Sequence, residues 1–355
     1  MDKIKVAIIG CGTIANAAHM PGYKAASDLC EVKYFCDIIP ERAESLRDKY
    51  GSGIANTDYH DILTDPEVTC VSICVPNGGH APIAIDFLKA GKHVLCEKPA
   101  AMNASLARDM QKTADKCGRI LNIGVCNRFN TYVEKIRELI AAGELGEVYH
   151  VYASFRAHRS IPGLGGDFTT FAASGGGALI DWGVHYLDLI LFCCGDPQVK
   201  TASGAAFSKL GVDMKNFVYT GMWAEETSDV ENGTYDVDDS VTGFVRTSGP
   251  MITFNGAWAQ NIGVSETYID FLGDKAGIRL NYCGDFRMWS TKNGMLTETK
   301  VNCRTTDMYE NEIRDFLRCI GTGEHNRQYI DYAVETSKLM QAIYDSSASG
   351  KEIIV

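Results

Sequence analysis

The residues of this sequence best suited to acid–base chemistry are Asp181 and His185 in the stretch DWGVHYLD (181–188). Residues four positions apart on a helix lie on one face, so the carboxylate can orient the imidazole. At about 100° per residue, Asp181, His185 and Asp188 fall within about 60° of one another. Apolar residues occupy the remaining circumference. The pattern predicts a buried helix with one polar stripe, on which a neutral imidazole could act as a general base.

Two other interpretations of this stripe stay open. Because buried polar groups need partners, the Asp181–His185 pair could simply be a satisfied contact that anchors a core helix. Asp181, His185 and Asp188 could also ligate a metal ion, but no further clustered ligands follow them in the sequence. We therefore predict no metal site.

A lysine in the sequence EKPA (97–100) is the second candidate for chemistry. Pro99 favours an extended Lys98 at the end of the apolar run HVLCE (93–97). An ammonium group there could bind a substrate hydroxyl or stabilise a developing oxyanion. The alternative is a solvated lysine at a strand end.

A glycine-containing turn, GCGTIA (10–15), follows the first apolar run and precedes a helical pattern. The spacing G-x-G-x-x-A is a form of the dinucleotide-binding fingerprint. Gly10 is expected to make the tight turn, and Gly12 to let a pyrophosphate approach the backbone. The N–H groups of Thr13 and Ile14, at the start of the helix, would then bind that pyrophosphate.

An acidic residue, Asp37, ends the next strand 22 residues after Ala15. At this position a carboxylate accepts hydrogen bonds from the adenosine ribose and repels a 2′-phosphate. The cofactor is therefore predicted to be NAD in preference to NADP. Arg42 leaves some use of NADP open.

Around these residues the chain follows two patterns. Residues 1–123 alternate short apolar strands with helices, which predicts a doubly wound parallel sheet, the Rossmann dinucleotide-binding domain. Residues 124–355 contain strands joined by short turns and a few helices, which predicts an α+β domain with a large open, mainly antiparallel sheet. We expect this second domain to bind substrate.

Two loops of the first domain should face the cofactor, because the carboxyl ends of parallel strands open onto the ligand crevice. VPNGGH (75–80) follows the fourth strand and EKPA the fifth. The candidate cofactor-binding residues in these loops are Pro76, Asn77, His80, Glu97 and Lys98.

Candidate substrate-binding residues come from the start of the second domain and from its first strand. They are Asn127 and Arg128 in CNRFN (126–130), and Arg156, His158 and Arg159 in RAHR (156–159). The three residues of RAHR could instead be surface cations at a strand end. Trp182, Tyr186 and Phe129 could supply aromatic platforms for a ring of the substrate.

Two further segments have biased compositions. Residues 162–177 are rich in glycine, which suits a mobile loop over the substrate or a linker. Residues 224–239 carry seven carboxylates and no lysine or arginine, which predicts a solvated loop or, as the alternative, contact with a cationic partner.

Taken in order, GCGTIA, Asp37, VPNGGH, EKPA and GGGALIDWGVHYLD resemble the glucose–fructose oxidoreductase/inositol dehydrogenase (Gfo/Idh/MocA) family. The resemblance covers the whole chain, and the pairing of Glu-Lys-Pro with a later Asp-x-x-x-His makes it specific. It implies an NAD(P)-dependent oxidoreductase acting on sugars, cyclitols or glycosides. Lys98, Asp181 and His185 match the family's catalytic positions, while Asn77 and Glu97 match residues at the nicotinamide end. Members commonly form homo-oligomers through the open face of the sheet.

Hydride transfer from a secondary ring hydroxyl would use His185 as general base and Lys98 to stabilise the oxygen. Asp181 would bind a substrate hydroxyl and fix the imidazole. Oxidation at C3 of a glycoside rests on the resemblance alone. Two alternatives are NAD-dependent glycoside cleavage through transient ring oxidation, and a non-catalytic NAD-binding regulator.

The bulk composition excludes some partners and locations. A formal charge of −11 and a pI near 5.2 argue against nucleic acid or an anionic membrane as partner. No secretory signal is recognisable in residues 1–10, and no uninterrupted run reaches the roughly 18 apolar residues of a membrane helix. Thirteen cysteines without an export signal predict reduced thiols and a cytoplasmic location.

Overall fold

A computed structural model describes residues 3–355, so Met1 and Asp2 of the expected first domain lie outside the described residues. The chain forms two compact units. The first contains the residues up to Phe129 together with Thr306–Val334, and the second contains Asn130–Thr305 and Glu335–Val355.

A parallel sheet forms the centre of the first unit. Its strands are β1 (Ile4–Ile9), β2 (Cys30–Cys36), β3 (Ile54–Asn56), β4 (Val68–Ile73), β5 (His93–Glu97) and β6 (Leu121–Gly124). They pair in the order β3-β2-β1-β4-β5-β6, and every pair is parallel. This is the doubly wound order whose direction reverses between β1 and β4, where such sheets bind ligands. The predicted Rossmann domain is confirmed.

Ten α-helices complete the described chain (residues 3–355). They are α1 (Met20–Ala25), α2 (Pro40–Tyr50), α3 (His60–Leu63), α4 (Asn77–Lys89), α5 (Ala104–Cys117), α6 (Thr131–Ala141), α7 (Phe171–Ser174), α8 (Val184–Cys193), α9 (Met308–Thr322) and α10 (Ile330–Ser349). Two π-helical turns, Ala15–His19 and Leu179–Gly183, directly precede α1 and α8.

The helix α9 belongs to the first unit, although the sequence predicted a second domain over 124–355. Its side chains Ile313, Phe316 and Leu317 are 0–3% exposed and share one hydrophobic cluster with Val6 and Phe35 of the parallel sheet. Periodicity indicates that α9 has an apolar face, but it does not say which sheet that face covers. The division at 123/124 therefore differs from the observed one.

An open sheet forms the centre of the second unit. Its strands are β7 (Val148–Arg156), β8 (Val199–Phe207), β9 (Ser240–Thr247), β10 (Met251–Ala257), β11 (Glu266–Gly273), β12 (Ala276–Asn281), β13 (Phe286–Lys292), β14 (Met295–Lys300) and β15 (Ile353–Ile354). They pair in the order β14-β13-β12-β11-β7-β10-β9-β8-β15, and only β7 and β10 are parallel among these described pairs. The predicted mainly antiparallel sheet is confirmed.

The core of the second unit lies between one face of this sheet and α8. Val151 and Phe155 from β7 pack in the same cluster as Leu187 and Ile190 from α8. The helical segment Phe171–Cys193 is long and apolar enough to cross a membrane by length and composition alone. However, 89% of its most apolar window is buried within the protein, as in the core helix of a soluble fold.

Candidate active site

The turn after β1 has the geometry expected of a dinucleotide loop. Gly10 has φ +90°, and a Cβ on it would lie 2.5 Å from the carbonyl oxygen of Cys74. At Gly12, by contrast, a Cβ would meet no atom within 4 Å, so the backbone faces open space. The first helical hydrogen bond runs from the N–H of Asn16 to the oxygen of Gly12 at 3.1 Å. The N–H groups of Thr13 and Ile14 precede it, so the residues present fit a pyrophosphate.

The carboxylate of Asp37 is 8% exposed and ties this loop to the end of β2. Its Oδ2 accepts from the N–H of Cys11 at 2.8 Å, and its Oδ1 accepts from the N–H of Ile39 at 2.9 Å. A carboxylate accepts about four hydrogen bonds, so capacity remains for ribose hydroxyls. Arg42 is exposed in the first turn of α2.

The loops after β4 and β5 are joined through His80. Its ring is 1% exposed, with Nδ1 2.7 Å from the Pro99 oxygen and Nε2 2.9 Å from the Val75 oxygen. Burial lowers the pKa of His80, which favours the neutral ring. A neutral ring has one N–H, so it donates to one of these carbonyl oxygens and only lies close to the other, and any effect of His80 on a cofactor passes through the loops. Pro76 and Asn77, at the start of α4, lie in the first of these loops.

Lys98 begins the second of these loops, and the peptide between Lys98 and Pro99 is cis. The N–H of Lys98 donates to Oε2 of the preceding Glu97 at 3.1 Å. Burial opposes the charge of Glu97, but the hydrogen bond and charge of His19, together with Lys98, leave its pKa below the ordinary value. An anionic carboxylate is therefore fixed beside Lys98.

In the second unit, Asp181 lies in the π-helical turn and His185 in the first turn of α8. Asp181 is 6% exposed, and its Oδ2 accepts from the indole N–H of Trp258 at 3.1 Å. His185 is half-buried, and its ring and that of Tyr282 form an edge-to-face pair with 6.4 Å between centroids. The predicted burial of the helix is confirmed. Its geometry was predicted wrongly, because the N–H of Val184 bonds to the Leu179 oxygen, five residues back, and interrupts the α-helical spacing.

The third acid of the stripe, Asp188, is 2% exposed and accepts from the hydroxyl of Thr336 at 3.4 Å. Within residues 3–355, the structure contains no group of three His, Cys, Asp or Glu side chains arranged to hold a metal ion.

The start of this helical segment is held by a residue that the sequence analysis missed. Asp238 accepts from the N–H of Gly177 at 2.8 Å and of Leu179 at 3.0 Å, and from the hydroxyl of Tyr344 at 2.7 Å. It caps the segment from a distant part of the chain, and burial raises its pKa. The adjacent Asp239 accepts from three backbone N–H groups, at 209–211. The prediction that all of 224–239 is solvated is wrong at these two acids, because backbone donors satisfy them inside the protein.

The glycine-rich segment 162–177 packs against this acidic segment. The N–H of Asp229 donates to the Leu164 oxygen at 3.0 Å, and the N–H of Thr234 donates to the Gly165 oxygen at 3.2 Å. A Cβ on Gly165 would lie 2.1 Å from the Asp229 oxygen. Glycine here permits close approach of two backbones, so the composition that suggested a mobile loop reflects packing.

The predicted substrate ligands Asn127 and Arg128 lie in a 3-10 turn, Cys126–Phe129, of the first unit, and they are 4% and 1% exposed. The guanidinium of Arg128 donates to the Arg327 oxygen at 2.7 Å and stacks 4.7 Å from the ring centre of Tyr332. This arrangement gives Arg128 a structural role that links two segments of the first unit.

The basic side chains of RAHR (156–159) also contact other residues of the protein. Arg156 pairs with Glu266 on the neighbouring strand β11. Arg159 donates to Oδ1 of Asn261 at 3.0 Å, and His158 Nδ1 lies 3.1 Å from the Gln260 oxygen. These contacts match the structural alternative for the segment, and the predicted substrate contacts remain a prediction.

The three candidate aromatic platforms differ in exposure. Tyr186 is 2% exposed and stacks on Phe155 and Tyr282, with ring centres 4.7 and 4.4 Å apart. Phe129 is 3% exposed. Only Trp182, which is half-buried, presents part of its ring outside the core among these three described residues.

A Rossmann sheet with an open dinucleotide loop, followed by a second unit built on an open sheet, is the architecture of a two-domain dinucleotide-binding protein. The chain matches two family models, the oxidoreductase family with an NAD-binding Rossmann fold at residues 4–125 and the GFO/IDH/MocA C-terminal domain at residues 133–279. It belongs to the Gfo/Idh/MocA oxidoreductase family, as its motifs indicated.

Individual relatives match along the full chain. A D-glucoside 3-dehydrogenase from Escherichia coli (strain K12) is 31% identical over 362 residues, covering 99% of this chain and 97% of the relative. A putative UDP-kanosamine synthase oxidoreductase subunit from Amycolatopsis mediterranei (strain S699) is 27% identical, with 98% and 97% covered. A levoglucosan dehydrogenase solved with NADH and levoglucosan superposes with a TM-score of 0.86 at 19% identity, covering 100% of both chains, which shows a common fold.

Proposed function

We propose that this protein oxidises a secondary ring hydroxyl of a sugar, cyclitol or glycoside with NAD, and that C3 of a glucoside is the favoured position. The observation that carries the proposal is the occurrence of Lys98, Asp181 and His185 in a chain that matches a D-glucoside 3-dehydrogenase over 99% of its length. The presence of Asp181 and His185 close together on an otherwise apolar helical segment supports it, because an acid and an imidazole in such a segment can carry out acid–base chemistry.

The residues that would hold NAD lie in the first unit. The backbone at Gly12, Thr13 and Ile14 would bind the pyrophosphate, and Asp37 would accept from the adenosine ribose. The loop beginning at Pro76 and Asn77 and the loop of Glu97 and Lys98 would border the nicotinamide. When bound, NAD supplies the acceptor for the hydride that leaves the carbinol carbon.

The chain's own residues would manage the proton and the substrate oxygen. A ring nitrogen of His185 accepts the hydroxyl proton, and the Lys98 ammonium donates a hydrogen bond to the same oxygen as its carbonyl character develops. Asp181, already held by Trp258, binds a neighbouring hydroxyl and orients the imidazole. A positioned base contributes about 10²–10⁴-fold to the rate.

The test is a screen of monosaccharides, inositols and glucosides for reduction of NAD or NADP, measured by the absorbance of the reduced cofactor. The expected result is NAD reduction that is fastest with a glucoside, together with a free 3-keto sugar product. Reduction of neither cofactor by any polyol would overturn the proposal. Release of the aglycone from an aryl glucoside without net NADH would instead indicate glycoside cleavage, and NAD binding without turnover would indicate a regulator.

Variants of the proposed catalytic residues test their roles. Lys98→Met and His185→Asn should each lower kcat by about 10²-fold or more. NADH binding, measured by fluorescence, should change little in His185→Asn. A variant that keeps near-wild-type turnover would exclude its residue from the chemistry.

The preference for NAD over NADP is proposed from Asp37. The carboxylate, held by the N–H groups of Cys11 and Ile39, would repel a 2′-phosphate. The comparison of kcat/KM for the two cofactors tests it, and equal values would contradict it. Asp37→Ala should bring the kcat/KM values for NAD and NADP closer together and should weaken NAD binding.

We also propose that copies of this chain, in a reducing cytoplasm, associate through the open face of the second sheet. Strand register places Trp289, Leu272 and Met251 in one row across this face, and Trp289 and Met251 are 42% and 40% exposed. Light scattering should show an oligomer that Trp289→Glu weakens. A monomer at micromolar concentration would contradict the proposal.

A further inference from the structure

The π-helical turn Ala15–His19 directs a histidine into the core of the first unit. The N–H of Met20 bonds to the Ala15 oxygen, five residues back, and Ala18, His19 and Met20 are buried in succession. A π turn places one extra residue in a helix and occurs frequently at functional sites. The imidazole of His19 is 1% exposed.

His19 is the middle of a buried hydrogen-bond chain. Its Nε2 lies 2.7 Å from Oε1 of Glu97, and its Nδ1 lies 3.3 Å from Oγ of Ser72. The hydroxyl of Tyr23 lies 2.6 Å from the same Oγ. A carboxylate only accepts, so Nε2 must donate to Glu97. A neutral ring accepts from Ser72 at Nδ1 and a charged ring donates to Ser72, and in both cases Nε2 donates to the carboxylate.

This chain ends inside the protein. Tyr23 is 2% exposed, and burial raises the pKa of its hydroxyl, which therefore keeps its proton and remains a donor. Ser72 is fully buried. Because neither residue reaches solvent, the Tyr23 end of the chain is closed to bulk water, and the chain serves to hold the carboxylate of Glu97.

The other oxygen of Glu97 holds the backbone of Lys98. The N–H of Lys98 donates to Oε2 at 3.1 Å. On the adjacent strand β6, Gly124 pairs with Glu97, and a Cβ there would lie 3.0 Å from Oε1. Glycine therefore leaves the space that the carboxylate occupies. One carboxylate thus connects the π turn to the start of the lysine loop.

We propose that His19 is a positioning residue which, through Glu97, fixes Lys98 in its reactive placement. The proposal rests on the proposed function in one respect, that Lys98 takes part in the chemistry. His19 itself contacts Glu97 and Ser72 and needs no contact with substrate or cofactor.

A second buried carboxyl, Glu312 on α9, provides a matched control. It is 1% exposed, and burial, with a smaller effect from the charge of Glu97, raises its pKa well above the ordinary value. The raised pKa favours the neutral form of Glu312, whereas the lowered pKa of Glu97 favours its charged form. Replacement of Glu312 by the neutral isostere glutamine should leave turnover unchanged, whereas the same replacement at Glu97 removes the charge that His19 holds.

The experiment compares His19→Ala, His19→Gln, Glu97→Gln and Glu312→Gln in the full chain. His19→Ala and Glu97→Gln should lower kcat at least about tenfold, since a hydrogen bond to a charged group is lost and small displacements of a catalytic group are costly. The KM for NAD should change less than about threefold in His19→Ala. His19→Gln keeps an N–H donor near the position of Nε2 and should restore most of kcat. Crystal structures should show the Lys98–Pro99 segment displaced in His19→Ala and unmoved in His19→Gln.

Either of two results would overturn the proposal: His19→Ala with kcat within twofold of wild type, or His19→Gln as impaired as His19→Ala. If His19→Ala does not fold, the other three variants test the proposal. Glu97→Gln should lower kcat at least about tenfold, whereas His19→Gln should keep most of kcat and Glu312→Gln should leave it unchanged. Failure of the proposed function would appear differently, as a wild-type protein that oxidises no polyol. The crystal structures would then still test whether His19 fixes the Lys98 segment.

Discussion

The indole N–H of Trp258 donates to Oδ2 of Asp181 at 3.1 Å, and both side chains are buried. Trp258 is fully buried in a small cluster with Ile161, Leu164 and Phe217. Its ring is therefore fixed by packing, and one oxygen of Asp181 is oriented by the core of the second unit. That constraint leaves the other oxygen in a defined direction.

Replacement of Trp258 by phenylalanine should lower kcat about tenfold, because a buried donor to a carboxylate contributes about 1.5–3 kcal/mol. Steady-state kinetics measure this effect, with NADH binding expected to stay within about twofold. Trp289→Phe, a matched change on the open face of the second sheet, should not alter kcat. A Trp258→Phe variant with wild-type kcat would show that Asp181 is oriented by other contacts.

The two glycines of the dinucleotide loop should respond differently to alanine. Gly10→Ala places a side chain at φ +90° and against the Cys74 oxygen, so it should destabilise the fold by at least about 1–2 kcal/mol. Gly12→Ala meets no protein atom, so the free energy of unfolding should be unchanged while NAD affinity falls. Thermal unfolding and NADH titration separate the two effects. Unimpaired NAD binding by Gly12→Ala would contradict the assignment of this loop.

Tyr344→Phe should destabilise the protein without touching the proposed catalytic residues. It removes the 2.7 Å hydrogen bond to the buried carboxylate of Asp238, at an expected cost of about 1–3 kcal/mol in urea unfolding. Tyr149→Phe, at a 54% exposed tyrosine, is the control and should cost less than about 0.5 kcal/mol. Equal stability of the two variants would mean that Asp238 does not depend on Tyr344.

Acid should weaken the fold through His93. Burial, with a smaller effect from Arg119, lowers its pKa from 6.5 to about 4, and its Nδ1 accepts from the N–H of Ile120 at 2.9 Å. The pKa of His93 is lower in the folded protein than in the unfolded chain. The contribution of the neutral ring to the free energy of unfolding is therefore fully present above pH 6.5 and is lost as the pH falls toward 4. Between pH 8 and 5 the loss should be about 2 kcal/mol.

Urea unfolding at both pH values measures this loss, with His93→Gln as the control. Glutamine keeps an acceptor but does not titrate, so this variant should lose about 2 kcal/mol less stability than the wild type over the same interval. The same pH dependence in both proteins would place the acid sensitivity elsewhere.

The sequence predicted best what short-range geometry determines. Gly10, Gly12 and Asp37 lie where their spacing indicated, because a tight turn and a strand end impose local requirements on residue type. The parallel and open sheets followed from strand patterning in the same way. Burial of the segment around Asp181 followed from its nearly continuous apolar surface.

Contacts between distant parts of the chain could not be predicted. Asp238 belongs to an acidic stretch that looks solvated, and only the tertiary fold brings the N–H groups of Gly177 and Leu179 to it. Trp258 reaches Asp181 for the same reason. The π turns also left no pattern, since a single extra residue in a helix changes hydrogen bonding without changing composition.

The discontinuity of the first unit has a consequence for biosynthesis. The chain emerges from the ribosome from its N-terminus, so the parallel sheet is synthesised before the segment Thr306–Val334 that completes it. Until then, the cluster containing Val6 and Phe35 lacks Ile313, Phe316 and Leu317, and apolar surface stays uncovered. Maturation of the nucleotide-binding unit must therefore wait until the chain has been synthesised as far as Val334, and a fragment ending at Phe129 would reproduce that unfinished state.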